Sequence, residues 1–247
     1  TPSGAGNRKT WTFSCWLKRG NLLGDTRADI FSVGHQTNNG WTDQNCFEIK
    51  FGAGGVGEPD GIRINGINTI FLRTNRVFRD PSAWYHLVVA FDATQSTATD
   101  RLKLYINGTE ETSFGADARS SITQNTDHGV CNTEPHVIGR AFYTGQNYDG
   151  YMAEMHLVDG TALTPSSFGE IGDYGEWKPI KYTGSHGTNG YYLDFKSQGP
   201  VYATGNRSGT ITVTKHASLA LGGSSGTIDK LVNGGFATDA PNAFWFL

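Results

Sequence analysis

Trp84-Tyr85-His86-Leu87-Val88-Val89-Ala90-Phe91 is apolar at nearly every position. That pattern is expected of a central strand buried on both faces. Downstream, Arg101-Leu102-Lys103-Leu104-Tyr105-Ile106 alternates cleanly and runs into Asn107-Gly108. This dipeptide favours a type I′ hairpin turn, because both of its residues must take φ > 0. Upstream, Trp11-Thr12-Phe13-Ser14-Cys15-Trp16-Leu17-Lys18 alternates too. Trp11, Phe13, Cys15 and Leu17 share one strand face, which is the expected core face.

Working outward, further strands are expected at 29–34, 45–51, 61–65, 69–74, 136–140, 150–158, 190–195 and 210–215. Helix is scarce. The best stretch is one turn at Thr164-Pro165-Ser166-Ser167-Phe168-Gly169, with Thr164 as N-cap and Pro165 at the first helical position. Many short strands with regular turns predict an all-β fold, a two-sheet antiparallel jelly-roll sandwich.

Composition agrees. The 247 residues include 33 Gly and 8 Pro, and only 17% are charged while 12% are aromatic. An average soluble domain carries roughly 25% charged residues, so this surface is polar mainly through hydroxyls, amides and glycine. No run approaches a membrane-spanning length, and residues 1–9 lack the apolar segment of a signal peptide. Net charge is −3, and the basic residues are scattered apart from Arg8-Lys9 and Lys18-Arg19. A nucleic-acid groove would need a basic stripe, so nucleic acid is not an expected partner. Cys15, Cys46 and Cys131 are too few and too dispersed for a disulfide framework or a zinc site. They read as small apolar residues of a β-core.

Two glycine-rich points, 52–57 and 222–226, read as loops. The first lacks both GxGxxG and GK[ST], so it is no phosphate cradle. Near 196–209 the strand pattern breaks at Lys196-Ser197-Gln198-Gly199-Pro200. The expected division is a jelly roll over 1–196 and a β-rich extension over 197–247. The closing Ala243-Phe244-Trp245-Phe246-Leu247 reads as an apolar strand without a partner, a hazard if exposed. With no initiator Met at Thr1 either, both ends are expected to be cut points in a longer chain.

Three blocks resemble the LamG-like (laminin G/pentraxin-like) jelly rolls of the concanavalin A-like lectin/glucanase superfamily. The first is Trp11 to Lys18. The second is Ser82 to Asp92 with Lys103-Leu104-Tyr105-Ile106-Asn107-Gly108. The third runs from Ile138-Gly139-Arg140 through Tyr148-Asp149-Gly150-Tyr151-Met152-Ala153-Glu154-Met155 to Ala162-Leu163-Thr164. Asn7-Arg8-Lys9-Thr10, Phe78-Arg79-Asp80-Pro81 and Ser166-Ser167-Phe168-Gly169-Glu170 are similar to such domains in structural proteins of bacterial viruses. The resemblance implies a virion or otherwise extracellular location. Residues 217–246 faintly resemble the start of a discoidin-like module.

Hydrolases of this superfamily place paired carboxylates on one strand as E-x-D-x-x-E. The nearest match, Glu58-Pro59-Asp60-Gly61-Ile62-Arg63, ends in Arg where the acid is required. Glu154 is expected to share its strand face with Met152 and His156, without a second acid. An enzyme is therefore not expected, and His86 and Glu154 are read as hydrogen-bonded residues of structural strands. The resemblance also raises calcium, which needs six to eight oxygens. If consecutive strands alternate in direction, loops 19–28, 52–60 and 141–149 share one end of the sandwich. The ion set expected there is Asp149 with Asp25 or Asp60.

Sugar recognition needs aromatic faces beside amides and carboxylates. Loop 36–45 offers Asn39, Trp41 and Asp43, and loop 141–149 offers Tyr143, Gln146, Asn147 and Tyr148. The expected function is a non-catalytic module that binds glycans or cell-surface polysaccharide through these loops. The alternative is a structural or decoration subunit contacting neighbouring subunits of an assembly.

Overall fold

The computed structural model describes residues 1–20, 22, 28–34, 46–52, 60–66, 69–142 and 147–195, with the backbone of 212–213 and 244–246. Its strands are β1 (Thr10–Arg19), β2 (Ala28–Val33), β3 (Phe47–Phe51), β4 (Gly61–Gly66), β5 (Thr69–Val77) and β6 (Tyr85–Asp92). They continue as β7 (Leu102–Ile106), β8 (Thr109–Glu110), β9 (Phe114–Asp117), β10 (His136–Ile138) and β11 (Gly150–Asp159). The last are β12 (Gly169–Ile171), β13 (Trp177–Pro179), β14 (Tyr191–Leu193), β15 (Thr212–Val213) and β16 (Phe244–Phe246).

One seven-stranded sheet runs β14-β11-β1-β6-β7-β8, with β16 also on β11. The other runs β15-β10-β2-β3-β4-β5-β9. Between them lies one apolar core to which Trp11, Phe13, Cys15 and Leu17 all contribute, as the alternation predicted. Trp11 stacks on Phe91 at 5.0 Å and meets Phe47 edge-on at 5.0 Å. Asn107 (φ 49) and Gly108 (φ 81) form the predicted left-handed turn. The Asn107 side chain is used there, its Oδ1 accepting from the His86 N–H at 2.7 Å. All three cysteines are buried thiols.

β6 is covered on both faces, but the second cover is not a sheet. Residues 161–189, carrying a short 3₁₀ turn at Pro165–Ser167 and the β12–β13 hairpin, lie across the outer face of the first sheet. There Val88, Val158 and Phe168 form a small second core against Tyr105, Leu163 and Tyr182. Thr12 ties the strap down: its hydroxyl donates to the Thr161 carbonyl and accepts from the Leu163 N–H, both at 2.7 Å. Thr164 stands at the N-cap with Pro165 opening the turn, as predicted, but its side chain makes no cap bond. Its hydroxyl pairs with Ser166 Oγ at 2.9 Å, because a single 3₁₀ turn presents few free N–H groups.

Two expectations are corrected. The apolar C-terminal strand has a partner, since β16 pairs antiparallel with β11, Tyr151 standing opposite Trp245. Glu154 and Met152 do not share a face. A bulge in β11 lets two residues oppose one on β1, as the register jumps between Ser14↔His156 and Trp16↔Ala153. Glu154 takes φ 46 inside that bulge. Met152, Met155 and Leu157 consequently all enter the core.

Candidate functional site

The strap covers only part of the outer face of the first sheet. At the end toward Arg19 and Gly150 the face is left half-exposed, with Trp84, Lys18, Tyr151, Glu154 and Tyr192 partly accessible. β-Strand alternation puts Lys18 of β1 and Tyr151 of β11 on this face, directly opposite each other. Trp84 comes from the residue preceding β6. Its ring lies 6.3 Å from that of Tyr151 at an interplanar angle of 57°. The Lys18 ammonium sits 5.5 Å from the Tyr151 ring centre, a cation–π contact that lies over the same ring. Further along β11, Tyr192 donates its hydroxyl to Glu154 Oε2 at 2.6 Å, holding the carboxylate of the strained bulge residue. Together these form an aromatic patch bearing one ammonium and one carboxylate.

Where patch and strap meet, the rings become buried. Trp16 stacks on His86 at 4.9 Å, and His86 stacks on Trp177 of the hairpin at 6.0 Å. Trp177 Nε1 donates to His86 Nδ1 at 2.9 Å, and His86 Nε2 lies 2.9 Å from Ser14 Oγ. Burial pushes the His86 pKa down to about 3, so the ring is neutral. An indole N–H can only donate, so Nδ1 is the acceptor and the proton sits on Nε2. His86 therefore donates to Ser14 and cannot take its proton, which is the reverse of a serine–histidine catalytic arrangement. Beside it, His156 Nδ1 lies 3.1 Å from His186 Nε2.

Loop ends around residues 20, 60 and 149 do share one pole, as strand alternation predicted. The Gly20 N–H donates to the Asp149 carbonyl at 2.9 Å, and Arg19 reaches Asp60. Asp60 is not available there as an ion ligand. Its two oxygens accept from Arg19 Nη1 at 2.8 Å and Arg79 Nε at 2.7 Å. Burial works to raise the Asp60 pKa, and the bonds from Arg79 and Arg19 outweigh it and hold the carboxyl below its ordinary value. A calcium ion at Asp60 would face two guanidinium groups. Among the described residues no group of three His, Cys, Asp or Glu is placed to hold a metal. Asp149 is half-exposed, and Asp25 lies outside the described residues.

Tyr148 is corrected as a sugar contact. Its side chain is buried, its hydroxyl donates to the Lys18 carbonyl at 2.9 Å, and its ring packs on Phe51. Burial raises its pKa well above the ordinary phenol value. Asn147 is half-exposed and bridges Arg140 through the backbone. Asn39, Trp41, Asp43, Tyr143 and Gln146 lie outside the described residues. Sequence reading passed over Trp84, Lys18 and Tyr151 because each stands in a strand block that already explained it. Their meeting on the part of the face that the strap leaves open depends on cross-strand register.

The outer face of the second sheet is polar in a different way. Arg63 Nε donates to Asn65 Oδ1 at 2.8 Å, Asn65 Nδ2 to Glu48 Oε2 at 3.2 Å, and Lys50 is ion-paired with the same Glu48. Lys50 is 0% and Glu48 1% exposed, so this ladder is an internal lattice rather than an open surface.

No curated protein matches the chain. Among solved structures, a Bacteroides ovatus protein assigned to carbohydrate binding aligns at 19% identity over 67% of this chain and 41% of its own, with TM-score 0.44. Domain 4 of the extracellular GH43 arabinanase AbnA from Geobacillus stearothermophilus, in complex with arabinotriose, aligns at 21% identity over 65% of each chain, with TM-score 0.43. The CBM40 of Ruminococcus gnavus IT-sialidase aligns at 16% identity over 67% of this chain and 89% of its own, with TM-score 0.45. The chain thus spans less than two thirds of the length of the first two. A family profile described as the concanavalin A-like lectin/glucanases superfamily, Laminin_G_3, matches residues 1–167, more than half of the sequence. Two antiparallel sheets face to face and that match together place the chain in the concanavalin A-like lectin/glucanases superfamily.

Proposed function

We propose that this chain is a non-catalytic glycan-binding module of an extracellular or virion structural protein. One observation carries the reading: Trp84 and Tyr151 hold their rings half-exposed, 6.3 Å apart, on the stretch of sheet that the strap leaves uncovered. Aromatic faces supply apolar area for sugar C–H surfaces. Lys18 beside Tyr151 can donate to hydroxyls, and Glu154 further along β11 can accept from them. Membership of a superfamily of lectins and glucanases supports sugar recognition, and the neutral, donating His86 speaks against use of Ser14 as a nucleophile. The loops around Trp41 and Tyr143 are proposed as further contacts.

A glycan array or cell-surface binding assay with Trp84→Ala, Tyr151→Ala, Trp41→Ala and Tyr143→Ala tests the proposal. Loss of binding in the first pair is expected. Full binding in all four would move the glycan away from these residues, and absence of binding by the parent chain would end the glycan reading.

The structural-subunit reading has its own support. At the β12–β13 hairpin Tyr174 is 97% and Ile171 71% exposed, more apolar side chain than a free surface turn needs. Light scattering of Tyr174→Ser against the parent chain separates the two readings, since a lower assembly state in the variant would favour subunit contacts.

A further inference from the structure

The aromatic patch also has a shape, and shape selects among glycans. We infer that its ligand is a single solvated glycan chain or chain end, not the flat face of a crystalline polysaccharide. This rests on the glycan-binding reading and narrows it.

Two features of the patch exclude a plane. The rings of Trp84 and Tyr151 are inclined to one another by 57°. A crystalline sugar face presents coplanar pyranose rings, and two aromatic faces at that angle cannot both lie against it. Coplanar rings would be required to gain the stacking area of both at once. The second feature is a step beside the patch. His86 stands two residues along the strand from Trp84, on the same outer face, and Trp177 of the β12–β13 hairpin is stacked on it. The hairpin therefore rises above the plane of the sheet at the patch's edge, with the fully exposed Tyr174 in its connecting turn. It is seated closely: a Cβ on Gly169 would come within 2.5 Å of the Trp177 ring and one on Gly108 within 2.7 Å. A broad flat surface would have to clear this wall to reach both rings. A narrow chain fits against the step, with one sugar on Trp84 and a neighbouring group on Tyr151. The Lys18 ammonium, 5.5 Å from the Tyr151 ring centre, then lies beside the chain's hydroxyls.

The experiment compares two supports with the same protein. Affinity electrophoresis through gels containing soluble polysaccharides, with calorimetry on oligosaccharides that retard it, reports solvated chains. Sedimentation with microcrystalline cellulose and crystalline chitin reports flat faces. Retardation by at least one soluble glycan, weakened about tenfold in Trp84→Ala and restored in part by Trp84→Phe, with no sedimentation on either crystalline solid, is the expected result. Sedimentation on a crystalline solid that Trp84→Ala abolishes would overturn the inference and leave the glycan site standing. Binding that neither Trp84→Ala nor Tyr151→Ala weakens, with circular dichroism showing both folded, would remove the ligand from this patch. Absence of binding to every soluble and crystalline glycan would instead overturn the glycan-binding reading itself.

Discussion

Trp177 donates its indole N–H to His86 Nδ1 at 2.9 Å, and this bond fixes the tautomer of a buried histidine while seating the outer hairpin on the sheet. Trp177→Phe keeps a ring to stack but leaves Nδ1 without its donor. A buried acceptor stripped of its partner costs about 1–3 kcal/mol. Denaturant unfolding should show that loss, and hydrogen exchange should show the β12–β13 amides opening before those of β1 and β6. Unchanged stability and exchange would mean the indole acts only by packing.

Acid should unfold this protein early. All five described histidines are held neutral: burial lowers His86 and His156 to about 3 and His128 and His136 to about 4, and it lowers His186 as well. Neighbouring His186 and His86 add to the effect at His156, and Arg8 adds to it at His128. Their ordinary value is 6.5. Above that pH both folded and unfolded states are neutral and stability is flat. As pH falls below 6.5 the unfolded chain takes up protons that the folded chain refuses, so stability falls until the folded values are passed. Asp60, Asp92 and Asp117, held below their ordinary 3.8, add a second loss as pH drops through their own folded values. Urea midpoints should be level from pH 8 to 7 and decline steadily from 6 to 4. A level midpoint down to pH 4 would contradict the buried neutral imidazoles.

Asp60 sits between two arginines of very different exposure, 3% for the Arg19 side chain and 59% for that of Arg79. Asp60→Asn leaves Arg19 buried without its counter-charge and should cost about 3–5 kcal/mol. Arg79→Ala removes a solvated partner and should cost less than about 1 kcal/mol. Equal losses in thermal or denaturant unfolding would show that the two contacts do not differ as their burial indicates. The same melting experiment with millimolar calcium and then chelator should show no shift, because the Asp60 oxygens are already occupied by cations.

Gly150 opens β11 at φ +152, and a Cβ there would lie 2.2 Å from the Lys18 carbonyl oxygen. Gly150→Ala meets backbone rather than a movable side chain, in a conformation alanine rarely adopts. It should destabilise by more than about 1 kcal/mol, and it should disturb Tyr151 next to it. Tryptophan and tyrosine fluorescence alongside thermal melts would register both effects, and a neutral outcome would require a backbone shift at Lys18.

The positions of most strands along the chain, the inward face of β1 and the Asn107-Gly108 turn were legible because each depends on neighbours in sequence: period-2 alternation and the φ > 0 demand of one dipeptide. The short strands at Phe114–Asp117, Gly169–Ile171 and Trp177–Pro179 were not, being brief, glycine- or proline-bearing and without a clear period. Cys15 could be placed by pattern, but Glu154 could not, since one bulge residue reverses the faces of those before it. Among the candidate residues, the Asp60 pole was foreseen as a meeting of loops, while the two arginines that occupy Asp60 were not. What the sequence determined by itself was an all-β sandwich with a defined core face. Only the tertiary structure decided that Tyr148 is buried, that residues 161–189 cover part of one outer face, and that Trp84, Lys18 and Tyr151 meet on the part the strap leaves open. Those outcomes depend on register between strands far apart in the chain, which local alternation does not encode.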